Sequence, residues 1–331
     1  MRAALFTGLA GLLVTAAVWA GAQAQAPASC QAGPDALGVS RTLDVDAAQG
    51  PRFGNNQYSD RYILREGEVI LTFDDGPHPV YTRTVLEALE AHCTRATFFM
   101  VGFRAFGQSA LVREMARRGH TIATHTWSHQ DLAKLDPVAA KGEIELGISA
   151  VQRALGAPAA PFFRFPYLSD PSAMRAHLKA RNTGIFSIDV DAYDYRTRSP
   201  TAVVRNVMLQ LESKRKGIIL FHDIQASTAG AIKTMLAELK ARGYKVVHLR
   251  PTQGQVTVAE YDTRIDRDYA NRKIAYLPVA QRGVFSSAWE ASVAPNTPSN
   301  INGVGLTPSA SGRATQRAAE DDWRRGIFSG R

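Results

Sequence analysis

The sequence predicts an α/β fold: a parallel sheet closed into a barrel with helices outside, preceded by an N-terminal extension and followed by a disordered C-terminal tail. Three observations predict it. Strand-like and helix-like runs alternate from about residue 68 to residue 250. Prolines and glycines punctuate the helical runs: Pro137, Pro171 and Pro200 stand at starts, Gly119 and Gly243 at stops. The residues able to do chemistry follow different strands, each near its C-terminal end. An open sheet gathers its ligands at a topological switch point, whereas a barrel collects side chains from all its strands at one mouth. Periodicity alone does not separate the two; the placement of these residues decides for the barrel.

The elements read in order as follows. Ser40 to Asp46 alternates apolar and polar residues, a half-exposed strand of the extension. Val69 to Phe73 is a short apolar strand, and Tyr81 to His92 has apolar residues at helical spacing. Strand Ala96 to Val101, helix Ala110 to Arg118, strand His120 to Thr124 and the long helix Pro137 to Leu155 follow. Strand Phe162 to Phe165, helix Pro171 to Arg181 and strand Gly184 to Asp189 continue the pattern. Helix Pro200 to Ser213, strand Gly217 to Phe221, helix Ala229 to Arg242 and strand Lys245 to Leu249 close it. From residue 68 on, this makes seven strands and six helices.

Residues 1–24 are expected to be a signal peptide. Arg2 is the positive start, Ala3 to Ala20 carry no charge, and Ala22-Gln23-Ala24 offers a small-x-small cleavage site. A lipobox before Cys30 is disfavoured because Pro27 stands where an aliphatic residue is needed. The protein is thus expected to be exported, periplasmic or secreted, with no stable membrane insertion after cleavage. Residues 25–65 form the extension, 66–252 the catalytic domain, and 253–331 a tail rich in Pro, Ser, Asn and Gly with a brief helix near Ala314 to Arg325. With 45% hydrophobic and 21% charged residues, the chain is of ordinary globular composition, neither wholly disordered nor collagenous. The net charge of +9 comes without a long Lys/Arg run, so nucleic acid is not an expected partner. Cys30 and Cys93 are the two cysteines, and an exported chain permits one disulfide between them.

Five segments carry the chemistry. Thr72-Phe-Asp74-Asp75-Gly76 ends a strand with adjacent carboxylates, which neighbouring backbone positions point to different sides. His125-Thr-Trp-Ser-His129 places two histidines at i, i+4, a metal-chelating spacing if the segment turns helically; with Asp75 they make a two-His, one-carboxylate set. Arg164-Phe-Pro-Tyr167 follows a strand, where an Arg can hold a carboxylate ionised and oriented. Asp191-Ala-Tyr-Asp194-Tyr195 is an acidic loop after the next strand, and Leu220-Phe-His222-Asp223 brings a histidine out of an apolar strand. Each segment alone has an ordinary explanation as a turn, a cap or a surface loop. His248, also at a strand end, is expected to be a core histidine without a catalytic role.

Taken together and in this order, the five segments resemble the polysaccharide deacetylases, carbohydrate esterase family 4, with the NodB homology domain. The resemblance spans the domain at 66–252 and implies a distorted (β/α)7 barrel. It implies Asp74 as general base, Asp75, His125 and His129 as ligands of a divalent metal, by default Zn2+, and Arg164 as the tether of Asp74. His222 would be the general acid with Asp194 setting its charge, the backbone N–H of Tyr167 would help hold the oxyanion, and Leu220 would line the pocket for the acetyl methyl. Tyr195 stands where many members have Trp, which changes one wall of the substrate pocket. The implied reaction is metal-dependent hydrolysis of N-acetyl groups from N-acetylglucosamine units of a cell-envelope or related polysaccharide, giving acetate and a free amine. The alternatives are an O-acetyl esterase acting on a polysaccharide such as xylan, since ester and amide differ mainly in the leaving group, and a non-catalytic carbohydrate-binding module. The oligomeric state is not legible in the sequence.

Overall fold

The computed structural model describes Cys30, residues 33–59 and residues 63–275, with side chains to Asn271. The signal peptide expected at 1–24 and the helix expected near residue 314 lie outside the described residues. The extension contributes β1 (Arg41–Val45) and β2 (Arg52–Phe53). Then come β3 (Glu68–Asp74), α1 (Tyr81–Ala91), β4 (Thr97–Met100), α2 (Gly102–Gly107), α3 (Ser109–Arg117) and β5 (Thr121–Thr124). These are followed by α4 (Pro137–Leu155), β6 (Phe162–Phe163), α5 (Ser172–Ala180), β7 (Gly184–Phe186), β8 (Val190–Asp191) and α6 (Pro200–Lys214). The order ends with β9 (Gly217–His222), α7 (Ala226–Ala241), β10 (Lys245–Pro251) and α8 (Ala259–Ala275).

All pairings are parallel, in the order β9–β3–β4–β5–β6–β7, with β8 on the far side of β9. This is the distorted seven-stranded α/β barrel, and its alternation sorts the residues into two layers. Val69, Leu71, Phe73, Phe98, Met100, Ile219 and Phe221 face outwards into the helix layer. Ile70, Phe99, Ala123, Phe162, Phe186 and Ile218 face inwards and fill the barrel. Sequence boundaries hold where caps are strong. Asp136 accepts from the N–H groups of Val138 and Ala139 ahead of Pro137, and Ser199 accepts from Ala202 ahead of Pro200.

Two strand assignments differ from expectation. The run expected from Gly184 to Asp189 stops at Phe186 as β7, because the carbonyls of Phe186 and Ser187 are turned to the Arg164 guanidinium, and β8 begins only at Val190. Among the described residues no ladder joins β7 to β8, and this is the gap that distorts the barrel. The last strand, β10, meets β3 only at Lys245–Glu68 and Val246–Val69, and runs instead along β1. The extension is therefore part of the sheet: β1 pairs with β10, β2 pairs with β7, and the Arg41 fork holds Glu68 at 2.7 and 2.8 Å. The Cys30–Cys93 disulfide expected from the sequence is present and ties the start of the extension to the turn after α1.

Packed structure continues past residue 252. Gln255 is buried, donating its N–H to the Ala159 carbonyl and accepting from the Thr183 hydroxyl, and the chain then enters α8. Ile265 of α8 is 1% exposed against Phe106, Leu146 and Ala150. The polar composition of 253–275 hid this helix because, among its described side chains, only Ile265 is fully buried; the rest of the expected tail, from 276, lies outside the described residues.

His120 and His248 are buried in the barrel base and make no approach to the strand-end carboxylates, in keeping with a core role. Burial, then the neighbouring His248, pushes His120 down to about 3; burial, then Arg95 and Arg250, pushes His248 down to about 4. Both are neutral in the folded chain, while in the unfolded chain they take up protons below about pH 6.5. Stability is therefore undiminished by them above pH 6.5 and falls as the pH drops from there towards 4, by about 1.4 kcal/mol per pH unit for each histidine. Urea midpoints at pH 7 and pH 5 check this: between the two, His248→Gln should lose about 2 kcal/mol less stability than the wild type does. Equal pH dependence in the variant and the wild type would contradict it.

Candidate active site

The site sits at the C-terminal ends of β3, β5, β6 and β9, where the register sets Asp74 opposite both Phe99 and His222. Asp74 is 2% exposed and Arg164 wholly buried. The guanidinium Nη1 donates to Asp74 Oδ1 at 2.7 Å and to Thr72 Oγ1 at 2.9 Å, and Nε and Nη2 donate to the Phe186 and Ser187 carbonyls. Its Cζ lies 4.3 Å from the centre of the Phe99 ring. Burial raises the Asp74 carboxyl to about 6, with Arg164 pulling the other way.

Asp75 adopts a left-handed conformation (φ 75°), which swings its carboxylate back towards the barrel axis. The two carboxylates therefore do not diverge as an extended strand would make them. Asp75 Oδ1 is 3.5 Å from His125 Nε2 and Asp74 Oδ2 is 3.9 Å from the same nitrogen. The following Gly76 is packed so closely on buried Asp223 that a Cβ there would lie 2.2 Å from its Oδ2. Thr82 donates to the same oxygen.

His125 and His129 meet at Asp75, but not on a helix. Thr126 (φ 64°) and His129 (φ 61°) are left-handed, and the loop between them is fixed from α4. Glu143 accepts from the Ser128 amide and hydroxyl at 2.8 and 2.9 Å, and its carbonyl accepts from the Trp127 N–H at 2.8 Å. Gly147, one turn on, leaves room for the Thr126 backbone, which a Cβ would meet at 2.5 Å. His125 Nδ1 donates to the Arg164 carbonyl at 2.6 Å, which leaves Nε2 as the electron-pair donor. His129 Nε2 is 3.2 Å from Asp75 Oδ1. Burial lowers both imidazoles to about 4, so they are neutral donors. Asp75 Oδ1 is buried without a hydrogen-bond partner among the described residues, and one ligand atom from each of Asp75, His125 and His129 falls within 4.8 Å of the others. An orphaned carboxylate oxygen facing two neutral nitrogens fits a divalent cation.

His222 is held by buried Asp194, whose two oxygens accept from His222 Nδ1 at 2.7 Å and from its backbone N–H at 2.6 Å. Thr228 and Ser227 secure Asp194 in turn. Burial alone would lower His222, but Asp194, then Asp75 and Asp74, carry it up to about 10. The remaining predicted residues surround this group. The Tyr167 ring stands edge-on to His129 at 4.7 Å with its backbone left-handed (φ 59°), and Tyr195 stands edge-on to His222 at 5.4 Å. Leu220 faces inwards opposite Thr72, two residues before His222.

The sequence reading missed three supports. Glu143 could have been noticed as a carboxylate on the buried face of an otherwise apolar helical stripe. Gln57 and Tyr58 of the extension carried no signal; Gln57 Nε2 donates to the Leu168 carbonyl and its Oε1 accepts from Ser187, while the Tyr58 hydroxyl donates to Asp170. They brace the loop that carries Tyr167.

A barrel mouth holding a tethered carboxylate, a carboxylate-bound imidazole and a cation-ready triad defines a hydrolase site. A family model described as polysaccharide deacetylase matches residues 62–185. A peptidoglycan-N-acetylglucosamine deacetylase of Bacillus cereus is 31% identical over 184 residues, which are 54% of this chain and 84% of that protein. The peptidoglycan-N-acetylglucosamine deacetylase PgdA of Listeria monocytogenes is 30% identical over 195 residues, 56% of this chain and 39% of that protein. The structure of a Bdellovibrio bacteriovorus peptidoglycan deacetylase superposes with a TM-score of 0.60 at 33% identity, covering 66% of this chain and 61% of that one. The chain belongs to the polysaccharide deacetylase family, hydrolases that act on amide bonds.

Proposed function

We propose that this protein is an exported, zinc-dependent deacetylase that removes acetyl groups from N-acetylglucosamine units of a cell-envelope glycan. The observation that carries the reading is the buried, unpartnered Asp75 oxygen facing His125 and His129 between the Asp74–Arg164 and His222–Asp194 pairs. Bound by Asp75, His125 and His129, the cation supplies Lewis acidity towards the acetyl carbonyl. Asp74, aimed by Arg164, accepts the proton of the attacking water. The Tyr167 backbone N–H donates to the oxygen that becomes negative, and Leu220 and Tyr195 wall the space for the acetyl group and the sugar. Imidazolium His222, kept charged by Asp194, delivers a proton to the departing amine, which would otherwise be a very poor leaving group.

The names of the relatives favour peptidoglycan as the substrate and an envelope setting. The disulfide fits an oxidising compartment, and among the described residues no helix is long and apolar enough to cross a membrane. A screen of acetate release across peptidoglycan, chitin oligomers, poly-N-acetylglucosamine and acetylxylan, with mapping of the freed groups, tests the reading. Release from N-acetylated glycans with new free amines is the expected result. Release from acetylxylan alone would replace it with an O-acetyl esterase.

A further inference from the structure

We propose that α8 is a positioning element for the metal-ligand loop, acting through Trp127 with Ile265 as its anchor. This rests on the reading of Asp75, His125 and His129 as metal ligands. The loop from His125 to His129 contains two left-handed, non-glycine residues, a backbone that persists only where the surroundings over-determine it. Its backbone is pinned on two sides. Glu143 of α4 takes the Trp127 N–H, and the first amides of α2, Gly102 and Phe103, donate to the carbonyls of Thr126 and Trp127 at 2.9 and 3.0 Å.

The side chain that carries the loop into an apolar layer is Trp127, midway between the two histidines. It packs against the cluster of Phe106, Leu146, Ala150 and Ile265, which Tyr261 and Tyr269 of α8 also join. The rings form a relay: Trp127 stands edge-on to Phe106 at 6.3 Å, and Phe106 edge-on to Tyr269 at 5.5 Å. Arg153 of α4 clamps the helix from outside, pairing with Asp266 at 2.6 Å and lying over the Tyr269 ring at 4.6 Å. Without α8, Phe106 and Leu146 would face water, and α2, which holds two of the loop carbonyls, would lose its outer packing. The helix therefore backs the apolar cluster that receives Trp127.

The test uses the full-length chain with Ile265→Ala, Tyr269→Ala and Ile265→Val. Val207→Ala is the control, at a fully buried position of α6 in the helix layer. Zinc dissociation constants are measured by competition with a chromophoric chelator, and the Co(II) d–d spectrum reports ligand geometry. Ile265→Ala and Tyr269→Ala should each weaken zinc binding at least fivefold and alter the Co(II) band. Ile265→Val should restore both, and Val207→Ala should lower the melting temperature while leaving both unchanged. If Ile265→Ala and Tyr269→Ala bind zinc like the wild type, α8 is only a stabilising cover and the proposal fails. If Val207→Ala weakens zinc equally, the effect is global softening and the proposal fails as well. A wild type that binds no zinc would overturn the ligand reading itself, which is a different result from either.

Discussion

Asp75→Ala should lose bound metal and activity together, whereas Asp74→Asn should keep near-stoichiometric metal and lose activity. The geometry separates the two residues. Among the described residues Asp75 Oδ1 has no hydrogen-bond partner, and it faces both histidines, while Asp74 is already engaged by Arg164 at 2.7 Å. Asn at position 74 keeps an acceptor for the guanidinium and the shape of the site but accepts no proton, and loss of a general base costs about 10²–10⁴-fold in rate. His222→Ala should follow Asp74→Asn in metal content. It should damage amide turnover more than hydrolysis of a nitrophenyl acetate, whose leaving group needs little protonation. Metal analysis beside the two rates reads all three variants. An inverted pattern, with metal lost from Asp74→Asn and kept in Asp75→Ala, would exchange the proposed roles.

Arg164→Met should be the most damaging single change to the folded state. The side chain is wholly buried and its fork meets Asp74, Thr72 and two carbonyls at the gap between β7 and β8. Removing it leaves a buried carboxylate without its counter-charge and two carbonyls without donors, a loss of about 3–5 kcal/mol. For a domain of this size that corresponds to a drop of roughly 10 °C in melting temperature. The Asp74 carboxyl would then rise further, since burial is its largest influence and Arg164 the main opposing one. Arg164→Lys keeps the charge but cannot fork to all four acceptors, so it should recover only part of the loss. Thermal unfolding and acetate release measure both effects; a Met variant as stable and as active as the wild type would contradict the role given to this pair.

The alternation of periods was enough to read a parallel α/β sheet, because strands buried on both faces and amphipathic helices leave strong local patterns, and the placement of the chemical residues at strand ends pointed to a barrel. The candidate residues converge for the same reason: they lie near or just past the C-terminal ends of strands, and parallel strands bring those ends to one mouth. What local pattern could not carry is tertiary. The i, i+4 histidines looked helical, yet their loop is shaped by Glu143 and Gly147, which are distant in sequence. The run from Gly184 to Asp189 looked like one strand, but Arg164 diverts its carbonyls. α8 looked like tail because, over its described side chains, it buries a single isoleucine and leans on partly exposed tyrosines, which leaves almost no hydrophobic stripe. Gln57 and Tyr58 are ordinary polar residues until the fold sets them beside the Tyr167 loop.

The central claim is that Asp75, His125 and His129 hold a cation needed for deacetylation, and metal removal and return tests it most directly. The wild-type chain is stripped with a strong chelator, its fold is checked by circular dichroism, and acetate release from a chitin oligomer and from peptidoglycan is followed as Zn2+ is added back. The account predicts no release from the stripped, folded protein and recovery that saturates at one zinc per chain, with Asp75→Ala recovering nothing. Undiminished acetate release from the metal-free protein would contradict it.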